Sequence, residues 1–185
     1  MTESLRGFLA VLLMGLPGAG KSTLAARLAA HFGLGLLSRD RLREAMFPQG
    51  EASPLERRAA FRALLLALEV SVVLGRPVVV DGLTLARRAD RERLRALLRR
   101  YGAPSLELWL DCPVPVAQAR VLADRLRGMA SAPDRDAAAV LAAAARFDPV
   151  EEQVRRLDAT LPPAELAETA IALVRERALD HGLLA

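Results

Sequence analysis

Among its 185 residues the sequence holds one cysteine, one lysine, one tyrosine, one tryptophan and no asparagine. A lone Cys112 cannot form an internal disulfide and fits a reducing, cytoplasmic compartment. With no asparagine and no second lysine, the Asn/Thr-Lys-x-Asp element by which a GTPase reads its base is missing. Aromatic residues, at 4%, leave little material for stacking nucleic-acid bases. No membrane span is expected: the apolar stretch Ala59–Leu74 is interrupted by Arg62 and Glu69. The run Phe8–Leu16 leads into a glycine-rich loop rather than a small-residue cleavage site, so it reads as a buried strand, not a signal peptide. The chain is also too short for a large AAA-type motor.

What is present is ordinary globular material, 52% hydrophobic and 26% charged, expected to form one domain over residues 1–185. The net charge of +4 suits an anionic ligand and permits nucleic acid without demanding it. Of the 26 lysine and arginine residues, all but Lys21 are arginine. The position that kept lysine is one where a compact ammonium on a flexible stem is required.

Short apolar runs alternate with helical patterns. Strands are expected at Phe8–Met14, Leu34–Ser38, Pro77–Val80, Leu106–Leu110 and, more faintly, Asp158–Leu161. Helices are expected at Lys21–Phe32, Arg41–Phe47, Pro54–Leu74, Arg87–Tyr101, Val114–Arg127, Asp136–Phe147 and Pro163–Asp180. Ser53, Pro54 and Glu56 form the start signal of the third helix, including a capping box. Such alternation implies a three-layer α/β/α sandwich around a parallel sheet of about five strands, with the first strand central.

Gly15-Leu16-Pro17-Gly18-Ala19-Gly20-Lys21-Ser22 satisfies G-x-x-x-x-G-K-[ST] between an apolar strand and a helix. Glycines let successive backbone N–H groups turn toward one anion, and the helix N-terminus adds partial positive charge. The segment through Thr23 is therefore expected to bind ATP, with Lys21 reaching the β- and γ-phosphates and the Ser22 hydroxyl binding Mg²⁺. The apolar run Val78–Val80 ends in Asp81, the form of a Walker B carboxylate facing metal or acceptor; a turn aspartate before Gly82 is the alternative. After the second strand, Asp40 and Arg43 are three apart and share a helix face. Asp40 can accept the proton of an attacking hydroxyl while Arg43 steadies an anionic part of the acceptor; the alternative is that Asp40 caps its helix.

The loop Gly15–Thr23, Ser38-Arg39-Asp40 with Arg43, and Val80-Asp81-Gly82-Leu83-Thr84 followed by Arg87-Arg88 resemble 5′-polynucleotide kinase domains of phage type. They also resemble the wider set of small P-loop kinases, including zeta-toxin-like and antibiotic phosphotransferases. The resemblance runs from Phe8 to about Glu152. It implies transfer of the ATP γ-phosphate to a hydroxyl, Asp40 as general base, Arg43, Asp81 and Thr84 on the acceptor side, and a lid arginine over the phosphates. A helical lid would span roughly residues 120–147. Arg120, Arg125 and Arg127-Gly128, ahead of Ala130–Pro133, all fall in it. Arg125 is expected to be catalytic and Arg120 to contact phosphate or adenine.

Three functions follow as expectations. The favoured one is a kinase of polynucleotide 5′-hydroxyls. The second is a kinase of a sugar, nucleoside or antibiotic. The third is a nucleotide-binding regulatory or toxin-like module with weak turnover. Arg87, Arg88, Arg91, Arg93 and Arg95 do not decide among them, since a solvated helix face is their expected place.

Overall fold

The computed structural model describes residues 3–128 and 136–184. Strand β1, Ala10–Gly15, is buried at all six positions, as a parallel strand covered on both faces must be. It is followed by α1 (Lys21–Phe32), β2 (Gly35–Ser38), α2 (Arg39–Met46), α3 (Pro54–Val73) and β3 (Val78–Asp81). Then come α4 (Arg88–Arg100), β4 (Ser105–Asp111), α5 (Val114–Leu126), α6 (Ala137–Ala144), β5 (Arg155–Asp158) and α7 (Pro163–Asp180). The strands form one parallel sheet in the order β2-β3-β1-β4-β5, so β1 is central.

Side-chain alternation along β1 divides the core in two. Leu9, Val11 and Leu13 pack with α1, α5, α6 and α7 on one face; Ala10, Leu12 and Met14 pack with α3 and α4 on the other. The result is the α/β/α sandwich expected from the alternation of strands and helices. Among the described residues no helix is long and apolar enough to cross a membrane.

The differences from expectation have local causes. β5 lies at Arg155–Asp158 rather than Asp158–Leu161. It is an edge strand in which Leu157 alone is buried, so its sequence carries no apolar run to read. Helix α2 begins at Arg39, not Arg41, because Ser38 caps it by accepting from the Arg41 N–H. At α3, Ser53 accepts from the Glu56 N–H at 3.3 Å, but the Glu56 carboxylate stands 3.9 Å from Arg43 instead of completing the capping box. Arg91 and Arg95 are not solvated. The Arg91 side chain is fully buried, and Arg95 bonds Glu107 and Glu151 at 2.7 and 3.0 Å.

Candidate active site

The carboxyl ends of β1, β2 and β3 carry most of the residues that the sequence singled out, as open parallel sheets require of a ligand site. β1 ends at Gly15 and the chain turns through Gly20, whose φ of 92° places it in the left-handed region, into α1. No side chain caps this helix, so its first N–H groups are left to an anion. Gly18 shows how tightly the loop is held: a Cβ there would stand 2.4 Å from the Ala117 carbonyl oxygen on α5. Lys21 is buried and donates to the Gly15 and Leu16 carbonyls at 2.9 and 2.8 Å, so its ammonium is folded into the concavity of the loop.

Two cavities flank this lysine. One, of about 260 Å³, is lined by the loop residues Pro17–Leu24 together with Arg120, Asp124, Ala159, Leu161, Pro163 and Leu166. Its apolar wall from the start of α7 and its polar floor of loop and helix N-terminus match the two ends of a nucleotide. Arg120 donates to the Ala159 carbonyl at 2.8 Å and so ties α5 to the segment after β5 while facing this cavity. The other cavity, of about 130 Å³, shares Pro17 and Lys21 with the first, and Asp40, Arg43 and Thr84 also line it.

Local structure explains how these residues converge. With Ser38 in the cap position, Asp40 falls in the first turn of α2, and Arg43 one turn on shares its face. The alternative role of Asp40 as the cap is thus taken by its neighbour. Asp40 is ion-paired with Arg39 at 2.6 Å. β3 brings Asp81 level with Ser38 in the sheet register. Gly82, with φ 76°, then lets the chain pass so close to α2 that a Cβ would stand 2.9 Å from the Asp40 backbone nitrogen. The Thr84 carbonyl accepts from the Gly15 N–H at 3.1 Å, joining this wall to the phosphate loop.

Metal capacity follows from the same geometry. Among the described residues no cluster of three His, Cys, Asp or Glu side chains exists that could cage an ion. Asp81 is 4% exposed, and its Oδ1 is buried without a hydrogen-bond partner. An orphaned carboxylate oxygen costs about 1–3 kcal/mol or more unless a ligand or its water satisfies it. One hydroxyl at the loop, Ser22, and one such carboxylate are the protein's usual share in a site that phosphates and water complete, so the residues fit Mg²⁺.

The structure does not bring Arg125 to either cavity: it is exposed in the last turn of α5. Arg127 and Gly128 are exposed as well, and Ala130–Pro133 lie outside the described residues. Sequence reasoning missed Arg57 and Arg146, which line the second cavity from α3 and from the end of α6. Neither carries a local signal, since each is one arginine among many.

A buried clasp holds the walls together. Arg91 Nη1 donates to the Leu85 and Ala86 carbonyls at 2.9 and 3.1 Å, and Nη2 donates to the Pro149 carbonyl at 2.8 Å. Its Nε lies 3.0 Å from Glu151 Oε2, close enough for an ion pair though not aligned as a hydrogen bond. Leu85 has a φ of 49°, an unfavourable conformation for a side chain of this size, which the bond to Arg91 helps to hold. The Arg95 hydrogen bond, foremost, holds the Glu151 carboxyl well below the usual range, at about 2.

Solved structures share this architecture. A presumed kinase of Chloroflexus aurantiacus J-10-fl superposes with a TM-score of 0.75 at 20% identity, over 93% of this chain and 99% of that one. A gluconokinase of Sinorhizobium meliloti 1021 gives 0.65 at 19% identity, over 92% and 94%. The APS kinase of Mycobacterium tuberculosis, in complex with AMPPNP and APS, gives 0.66 at 20% identity, over 91% and 98%. No curated protein matches the sequence. These likenesses, all under 25% identity, establish the P-loop kinase fold. The sequence itself supplies the family: residues 11–150 match the AAA domain family AAA_33, and the chain belongs to this P-loop kinase-like family.

Proposed function

We propose that the protein is an ATP-dependent kinase that transfers the γ-phosphate to a hydroxyl of a small molecule. The observation that carries this reading is the shared wall: Pro17 and Lys21 line both cavities, so a nucleotide seated in the larger one presents its terminal phosphate to the smaller. There Asp40 accepts the proton of the acceptor hydroxyl. The hydroxyl oxygen forms its bond to the γ-phosphorus as the bond to the bridging oxygen breaks, and ADP leaves. Lys21 neutralises charge on the transferring group and Arg120 holds the nucleotide side. Mg²⁺, held by Ser22 with Asp81 behind it, would supply further charge neutralisation across the β- and γ-phosphates. Helix α5 contributes to the larger cavity and α6 to the smaller, and the two, joined by a 3.1 Å bond from Gln118 to the Ala137 carbonyl, act as the lid. The setting is cytoplasmic, where ATP is available.

A small acceptor, rather than the polynucleotide favoured by the local motifs, is supported by three features. The second cavity is compact, and no aromatic residue stands among the described residues that line it, so nothing there stacks a base. The structural neighbours include proteins named gluconokinase and APS kinase. A screen with γ-labelled ATP over 5′-hydroxyl oligonucleotides and small hydroxylated metabolites checks the acceptor, and more efficient labelling of the oligonucleotides overturns it. Asp40→Asn checks the chemistry. It should bind ATP as the parent does but transfer phosphate about 10²–10⁴-fold more slowly. Transfer at the parental rate removes Asp40 from the mechanism.

A further inference from the structure

We infer that the acceptor carries a phosphate-like dianion besides its hydroxyl, and that Arg43, Arg57 and Arg146 grip it; only the placing of the hydroxyl rests on the kinase reading. The three arginines arise far apart, on α2, in the first turn of α3 and just past α6, and the fold gathers them around one cavity of about 130 Å³. With Lys21 and Arg39 they make five cations in a lining whose one carboxylate is Asp40. Like charges crowded into a small, partly desolvated volume repel one another, and an entering anion is attracted by all of them.

The charges are not equivalent. Lys21 belongs to the phosphate loop through its two carbonyl contacts, and Arg39 pairs with Asp40 at 2.6 Å. The Arg43 side chain is only 6% exposed, yet its nearest carboxylates, Glu44 and Glu56, stand at 3.7 and 3.9 Å, beyond hydrogen-bond reach. A guanidinium offers five N–H donors in a planar fork, and these two contacts satisfy none of them well. Glu56 Oε2 is itself buried without a hydrogen bond, so it balances charge without locking Arg43 in place. Arg146 faces this group from the α6 side of the cavity and makes no ion pair among the described residues. A carboxylate presents two oxygens in one plane and can engage one fork fully. A tetrahedral phosphate presents three oxygens and up to two charges in different directions, which suits forks from three elements.

The test uses the full chain with AMPPNP and Mg²⁺ bound, so that the phosphate loop is filled and cannot take up the probe. Three probes share one carbon skeleton: glycerol, glycerate and glycerol 3-phosphate. Calorimetric titration should show glycerol 3-phosphate binding at least about 10-fold tighter than the other two, the factor expected from one additional charge-assisted hydrogen bond. Arg43→Gln and Arg146→Gln should each remove about that factor. Arg58→Gln, an exposed arginine on α3 outside both cavities, should stay within about twofold of the parent. Because Arg146 is exposed, its variant keeps the test valid even if Arg43→Gln fails to fold. Equal affinities for the three probes overturn the inference, and so does a loss in Arg58→Gln as large as in Arg146→Gln. Binding is read without turnover. The site therefore stands if no phosphate transfer is ever found, and it falls if a neutral alcohol is phosphorylated while the dianion binds no better than glycerol.

Discussion

At the scale of single residues, the phosphate loop depends on one side chain that cannot be exchanged and one that cannot be enlarged. Lys21 reaches the Gly15 and Leu16 carbonyls within the loop, a place for a point charge and not for a planar fork. In a chain that uses arginine at every other such position, Lys21→Arg should still lose phosphate transfer by about 10²-fold or more, measured as kcat at saturating ATP. Gly18→Ala should damage the loop by sterics alone, since the new methyl meets backbone at 2.4 Å in a left-handed conformation. Ser38 and Asp40 separate stability from chemistry. Ser38→Ala removes the α2 cap and should cost about 1 kcal/mol in denaturant unfolding. Asp40→Asn keeps that cap, so the stability it loses comes from ion pairing such as that with Arg39, while phosphate transfer should fall by about 10²–10⁴-fold.

At the scale of elements, the Arg91–Glu151 clasp holds the walls of the smaller cavity together. It joins the Leu85–Ala86 turn after β3 to the Pro149–Glu151 segment after α6, and a further bond from the Asp148 N–H to the Ala86 carbonyl reinforces it. Arg91→Met leaves Glu151 less compensated and three carbonyls without their donor, and should cost about 3–5 kcal/mol. Acceptor KM should rise more than ATP KM, since Thr84 and Arg146 belong to the acceptor cavity. The hydrogen bond from Arg95 to Glu151, beside this clasp, sets an acid response. Glu151 has a depressed folded-state pKa of about 2 against an ordinary 4.5, so it stabilises the fold fully above about pH 4.5 and loses that contribution as pH falls toward 2. Stability of Glu151→Gln, followed by urea unfolding, should therefore fall less steeply than the parent's over that window.

At the scale of the whole molecule, ligand occupancy and stability are linked. ATP with Mg²⁺ at about 100 times its Kd should add about 2.7 kcal/mol, and for a chain of this length that corresponds to a rise in Tm of roughly 5–11 °C. The rise should disappear in Lys21→Ala. It should persist in Asp40→Asn, which alters the acceptor side alone. A Tm unchanged by ATP in the parent protein would remove nucleotide binding at this loop.

The sequence by itself determined the sandwich, the central place of β1 and the loop Gly15–Ser22. These features rest on local patterns: an apolar run buried on both faces, a glycine turn and helix caps, each confined to a few consecutive residues. It also put Asp40 and Arg43 on one helix face, because three-residue spacing is itself geometry. It placed the fifth strand three residues late, because the edge position of β5 asks for one buried side chain and leaves no periodicity. Arginines were the least legible residues, since a guanidinium on a helix reads the same whether it faces water, a carbonyl cluster or a cavity. Tertiary structure alone buried Arg91, left Arg125 outside both cavities, and brought Arg57 and Arg146 to the smaller cavity. Their positions depend on contacts between α2, α3, α4 and the segment after α6, which are distant along the chain and adjacent only once the sheet has formed.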